Sequence, residues 1–324
     1  MRELRKRLEM LEEACKQLDK GTSTGARLAL ILLDNLAEIT MYDKVRYLFA
    51  HDSQFEGVIP RKYSDQLRKK VLWGFSEKVD LLVRDMDTVS EDQGKVLKGG
   101  HILRNEAYHR GQVPERIIRE VARTYLRVVC HILPALWSGT LMLVPGEDVD
   151  GYLKQFGVDA SMIDWDVLKS VCTYLLDERG CGVEELASSL SSDLTRRIEE
   201  VVYDCEYLAE GGYERIPADE VLKNLQFNPQ FHEKHEFAPT DEGFREFVET
   251  HKREFAEYIP PITLATLDEW KSRAEAISSM AFPGAALDEY SDIDRMLSDI
   301  QETVGQGVYQ FDEWVNMQVH DRGL

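Results

Sequence analysis

Apolar residues recur at helical spacing along nearly the whole chain. Leu4, Leu8, Leu11, Cys15 and Leu18 alternate steps of four and three, the seam of an amphipathic helix that ends at Gly21-Thr22-Ser23. The seam fits packing on its own domain as well as pairing with a second chain. A second helix follows, with Leu28, Ile31, Leu32, Leu36, Ile39, Val45 and Leu48 as its apolar face and Asp34, Glu38 and Tyr42 as a polar stripe. His51 to Arg61 reads as a loop. Ser64 then caps a helix running to about Met86 that carries Leu67, Val71, Leu72, Phe75, Val79 and Leu82. A loop is expected from Thr88 to Gly100, a short helix from Ile102 to about Gly111, and a long helix with Ile117, Ile118, Val121, Tyr125, Val128, Val129 and Ile132 inward. No alternating strand pattern appears in this half.

Beyond Pro134 the pattern loosens, which places a domain boundary between residues 138 and 160. The fold expected is all-α, a helical bundle over 1–137 followed by an acidic, mostly helical domain over 138–324. Helices are expected at 164–178, 183–190, 192–209, 241–257, 264–281 and 288–304, with Gly211 to Pro239 loop-like apart from one short helix. Residues 164–212 suggest a winged-helix-like unit, with Asp193 to Leu208 as the recognition helix. Its acidic side chains oppose the phosphate neutralisation that DNA reading requires.

Charge sharpens the division. Residues 1–131 hold 24 Lys and Arg against 20 Asp and Glu; the remainder holds 15 against 39. A mildly basic front joined to a strongly acidic back suggests different partners for the two halves. Neither a membrane span nor a signal peptide is legible, and Cys15, Cys130, Cys172, Cys181 and Cys205 include no Cys-x-x-Cys pair. A reducing cytoplasm fits, with no disulfide framework and no cysteine-bound zinc. His232-Glu233-Lys234-His235 lacks the spacing of a helical metal motif and reads as a polar loop. No metal or other cofactor is expected, and neither a phosphate-binding Gly-rich loop nor a hydrolase nucleophile elbow is present.

Useful side chains are densest in His101-Ile102-Leu103-Arg104-Asn105-Glu106-Ala107-Tyr108-His109-Arg110-Gly111. Asn105 and His109, four apart, share a helix face. Arg104 lies about 140° around the axis from His109 and joins them through its length or through a distorted first turn. Gly99-Gly100 would allow that distortion and leave backbone N–H groups at a helix start, where phosphate is favoured. His109 can move a proton near neutral pH, Arg104 can neutralise a phosphate, and Asn105 can bond the phosphate or orient the imidazole. Downstream, Arg116, Arg119, Arg123 and Arg127 recur at steps of three and four and form, with Arg110, a basic strip suited to phosphate contacts. Asp34 and Glu38 either orient Arg104 or His109 or form a plain polar edge. The bland alternative is a solvated helix end with Arg104 paired to Glu106 or Asp87.

Arg104, Asn105 and His109, with the apolar opening helix Ala26 to Glu38 and the long closing helix, resemble the HEPN superfamily over residues 25–137. That family's mark is Arg, often followed by a polar residue, then His after four to six residues. The resemblance implies a metal-independent endoribonuclease with catalytic Arg104, Asn105 and His109. It implies a homodimer whose two motifs face one cleft, acting on RNA as a toxin or in anti-phage defence. A protein partner or antitoxin would meet the acidic C-terminal half. The alternative reading is an inactive HEPN-type scaffold in a defence or regulatory complex.

Overall fold

The computed structural model describes residues 2–54, 60–86, 88–109, 115–137, 141–142, 149–158, 162–163, 165–177, 179, 183–211, 215–235 and 241–321. Its fold is all-α. In chain order the helices are α1 (Arg2–Asp19), α2 (Ser23–Gln54), α3 (Asp65–Trp73), α4 (Phe75–Asp85), α5 (Glu91–His109), α6 (Glu115–Leu136), α7 (Val149–Lys154), α8 (Trp165–Asp177), α9 (Val183–Gly211), α10 (Ala218–Lys234), α11 (Asp241–Glu257), α12 (Leu264–Ile277) and α13 (Pro283–Asp321). A two-residue antiparallel pairing, β1 (Leu141–Met142) with β2 (Met162–Ile163), sits between α6 and α8. No helix among the described residues is long and apolar enough to cross a membrane.

The chain forms two compact units, residues 1–190 with 278–288 and residues 191–277 with 289–324. The boundary expected at 138–160 therefore falls inside the first unit, because α8 packs on α6.

In the first unit α2 is the central rod, contacted by α1, α3, α4, α5 and α6. Leu4, Leu8, Leu11 and Cys15 are buried, so the α1 seam is satisfied within its own unit. The buried stripe of α2 is Ala26, Ala29, Leu30, Leu33, Leu36, Ala37 and Met41. The expected apolar face was rotated. Leu28 is 44% and Ile39 41% exposed. α2 is apolar over most of its circumference in this stretch, so periodicity alone does not choose the side that small alanines let neighbouring helices approach.

The helix expected from Ser64 to Met86 is two. Ser64 Oγ accepts from Leu67 N, the anticipated cap, but Gly74 takes an extended conformation between α3 and α4. Of the loop and short helix expected over 88–111, residues 91–109 are one helix, α5. Its start is a reciprocal capping box: Gln93 N donates to Ser90 Oγ at 3.2 Å and Ser90 N to Gln93 Oε1 at 2.9 Å. Gly99 and Gly100 thus lie inside a helix and provide no free N–H groups for phosphate. Their smallness serves packing, since a Cβ on Gly100 would stand 2.3 Å from the Tyr125 ring. Asp92, beside that box, accepts from Gly284 N (2.8 Å) and Ala285 N (3.2 Å) and so caps the first turn of α13.

The turn expected between the helices 183–190 and 192–209 of the winged-helix-like unit is absent, because 183–211 is one continuous helix. Leu186, Leu190, Leu194, Ile198, Val201 and Cys205 are all buried, an unbroken stripe across the expected turn. In the second unit Arg197 Nη1 pairs with Asp294 on α13, and Tyr290 donates to Asp193. The stretch 211–239, expected as mostly loop, contains the seventeen-residue α10. Cys15, Cys130, Cys172 and Cys205 are buried, and burial pushes the Cys205 thiol up to about 12; Cys181 lies outside the described residues.

Two glycine substitutions test this packing. Gly100→Ala adds a helix-favouring methyl group against Tyr125, and the overlap should outweigh propensity, lowering stability by about 1–3 kcal/mol. Gly305→Ala in α13, where a Cβ meets nothing within 4 Å, should raise stability by about 0.5–1 kcal/mol. Thermal or urea melts of both variants check the pair.

Candidate active site

The site is built around a carboxylate with no exposure to solvent. Asp34 of α2 is 0% exposed, facing α5 and α6 in the middle of an otherwise apolar stretch. Three donors from those helices converge on it. Tyr125 Oη of α6 donates to Oδ1 at 2.8 Å. His101 Nδ1 of α5 lies 3.0 Å from Oδ2 and 3.1 Å from Oδ1. Arg104 Nε lies 3.1 Å from Oδ2. Its N–H is not aimed at that oxygen, so this contact is an ion pair rather than a hydrogen bond. A buried charge is tolerated only when paired and hydrogen-bonded, and Asp34 is both.

The guanidinium is held at its other end too. Arg104 Nη1 donates to Asn105 Oδ1 at 2.7 Å, and Nη2 to Asn35 Oδ1 at 3.4 Å. Two N–H groups are therefore used, leaving one on each terminal nitrogen, and the side chain stays 23% exposed. This is a fixed, half-open cation suited to an anion arriving from solvent. Arg104 reaches Asn105 along its own length, with no distorted turn.

His101 is equally constrained. The break at Gly74 sets Phe75 at the head of α4, where its ring stacks on the imidazole at 4.0 Å with planes 11° apart. Burial, with Asp34 beside it, raises the Tyr125 hydroxyl well above its usual range, so it remains a protonated donor. One helical turn beyond Asp34, Glu38 Oε1 takes an ion pair from Lys78 Nζ at 3.2 Å, a lysine only 1% exposed. Of the expected stripe, Asp34 therefore faces inward while Glu38, its side chain 39% exposed, lies at the edge where it meets Lys78, and Arg104 pairs with Asp34 rather than standing at a solvated helix end.

His109 closes α5 as its last residue. Its side chain and that of Arg116 lie outside the described residues, as does Arg110 entirely. Of the remaining strip, Arg119 is exposed, Arg127 is half-buried, and Arg123 Nη1 pairs with Glu185 at 3.1 Å and Glu120 at 3.5 Å. These three arginines sit at helical spacing on α6, and part of their charge is met by carboxylates. Burial raises the Glu120 carboxyl.

In the second unit the histidines at the end of α10 belong to an aromatic cluster rather than a polar loop. His251 Nε2 contacts Asn228 Oδ1 at 2.9 Å, His235 Nε2 lies 3.1 Å from Glu254 Oε1, and Phe227, Phe231 and Phe255 pack around them. Among the described residues no group of His, Cys, Asp and Glu is placed to hold a metal ion.

Sequence reasoning missed His101 and Tyr125 as site residues. The available signal was the four-residue step from His101 to Asn105 and on to His109, together with one acid inside an apolar opening helix. Comparison with family models, with curated proteins and with solved structures finds no match to this chain.

Asp34→Ala should lower stability by about 3–5 kcal/mol, because it leaves a partly buried guanidinium unpaired. Arg104→Ala should cost less, since Asp34 keeps His101 and Tyr125. Urea titration of both variants checks the order; equal losses, or an Asp34 loss below about 1 kcal/mol, would show that the carboxylate is not the tie.

Proposed function

We propose that the chain is a metal-independent endoribonuclease of the HEPN kind, working on cytoplasmic RNA as a toxin or in anti-phage defence. The observation that carries the reading is the anchoring of Arg104. A buried carboxylate on the opening helix and two asparagines aim a half-open guanidinium at solvent, on the helix that ends in His109. Such a cation neutralises the charge that grows on a phosphate in the transition state, and its prior fixation avoids reorganisation during the reaction. Asn105 orients that guanidinium, and His109 transfers the proton. Arg119, Arg123 and Arg127, with Arg110 and Arg116, would hold neighbouring phosphates.

The same reading takes a homodimer, with a partner protein or antitoxin on the acidic C-terminal half. Leu28, Ile39 and Tyr42 leave exposed apolar surface on α2, at helical spacing around Asn35, which itself contacts Arg104. A second copy seated there would bring two motifs to one cleft and remove that surface from water.

A second reading, an inactive scaffold, draws on the same ion pair: Arg104 is already neutralised within the protein, as a purely structural arginine would be. Incubation of the purified protein with tRNA and mRNA in EDTA, beside His109→Ala, separates the two. The ribonuclease reading expects cleavage by the wild type and about a 10²–10⁴-fold loss in the variant. Intact RNA with wild-type protein, or equal cleavage by both, contradicts it.

A further inference from the structure

Cleavage of RNA through its own 2′-hydroxyl requires two proton transfers, one from the attacking oxygen and one to the departing oxygen. His109 accounts for one of them. The first unit holds a second imidazole whose surroundings prepare it for the other.

His101 Nδ1 faces both oxygens of Asp34, a carboxylate without exposure, at 3.0 and 3.1 Å. Asp34 can only accept, so Nδ1 carries the hydrogen and the neutral ring keeps its lone pair on Nε2. Phe75 stacks on the ring and fixes its plane. Among the described residues Nε2 has no hydrogen-bond partner, and the side chain is 24% exposed. Here one nitrogen is tied to a buried acid, and the other is uncommitted on a side chain that keeps partial access to water. The charged groups facing the ring are Asp34 and, across the same Oδ2, Arg104. Nδ1 and Arg104 Nε therefore lie within about 6 Å of each other.

We infer that His101 is the general base of the proposed cleavage, with Asp34 as its orienting acid and RNA carrying a free 2′-hydroxyl as its substrate. This rests on the ribonuclease reading. His101 Nε2 removes the 2′-hydroxyl proton, and the 2′-oxygen bonds to phosphorus while Arg104 neutralises the phosphate. The bond from phosphorus to the 5′-oxygen breaks, and that oxygen takes a proton from His109. The products are a 2′,3′-cyclic phosphate and a free 5′-hydroxyl; no further reactant is required. Asp34 stabilises the imidazolium formed on His101.

The test uses the full-length protein and an RNA oligonucleotide with one scissile linkage. It is made with an ordinary 5′-oxygen, with a bridging 5′-sulfur that departs without protonation, or with a 2′-deoxy sugar. His101→Asn keeps a donor toward Asp34 but has no basic nitrogen. It should melt near the wild type, lose about 10²–10⁴-fold on the ordinary RNA, and remain slow on the sulfur substrate. His109→Ala should be slow on the first and recover on the second. The 2′-deoxy substrate should bind without being cut, and on wild-type protein it should shift the His101 ring signals in an NMR titration, a readout that needs no variant.

Wild-type rates in His101→Asn overturn the inference while leaving the ribonuclease reading standing. Recovery of that variant on the sulfur substrate, or unmoved His101 signals on binding, does the same. If wild-type protein leaves RNA intact, both fall together.

Discussion

A charge placed where water cannot reach it constrains everything near it. Asp34 sits in the most apolar stretch of the central helix α2, and an ionised carboxylate there survives only if neighbouring helices bring donors. α6 brings Tyr125, and α5 brings His101 and Arg104. These contacts fix the rotation and register of α5 against α2 and α6, because a shift of one residue would leave the acid unpaired. Gly100 belongs to the same constraint: only a residue without a side chain lets α5 approach closely enough for the Tyr125 ring to lie against it. The packing of the bundle and the position of its chemical groups thus have one physical cause.

From that constraint follows a division of labour among polar residues a few ångströms apart. Tyr125 is sealed and stays a donor, so its role is to neutralise part of the acid. Arg104 and His101 each give one face to Asp34 and keep another toward solvent. Lys78 and Glu38 continue the polar seam one turn further along, with the lysine fully enclosed. Groups tied at one end and open at the other are what pre-organised catalysis of phosphoryl chemistry needs, which is why the site rather than the fold carries the functional reading.

The helical class and most helices were legible because the apolar spacing is strongly periodic, as in Leu4, Leu8, Leu11 and Cys15. The motif at Arg104 and Asn105 was legible as local chemistry. What periodicity did not reveal depends on contacts distant in sequence or on small residues. Gly99-Gly100 reads as a breaker locally, yet lies inside α5 because Tyr125 and Leu287 occupy the space that side chains would take. The Ser90-Glu91-Asp92-Gln93 capping box that starts this helix was readable and outweighs those glycines. Asp34 was visible as a lone acid in an apolar run. Its burial, and the recruitment of His101 from 67 residues away, depend on which face of a helix apolar nearly all round turns inward. The continuous α9 follows the same logic: Ser191, Ser192 and Asp193 resemble a turn, but the apolar stripe on either side keeps its phase through them.

The most direct test of Asp34 as the organising acid is the ring nitrogen spectrum of His101 in protein labelled with nitrogen-15, recorded at neutral to slightly alkaline pH. The account predicts a hydrogen on Nδ1 and a bare Nε2, with that preference lost in Asp34→Ala. A neutral ring carrying its hydrogen on Nε2, or a spectrum unchanged by removal of the carboxylate, would contradict it.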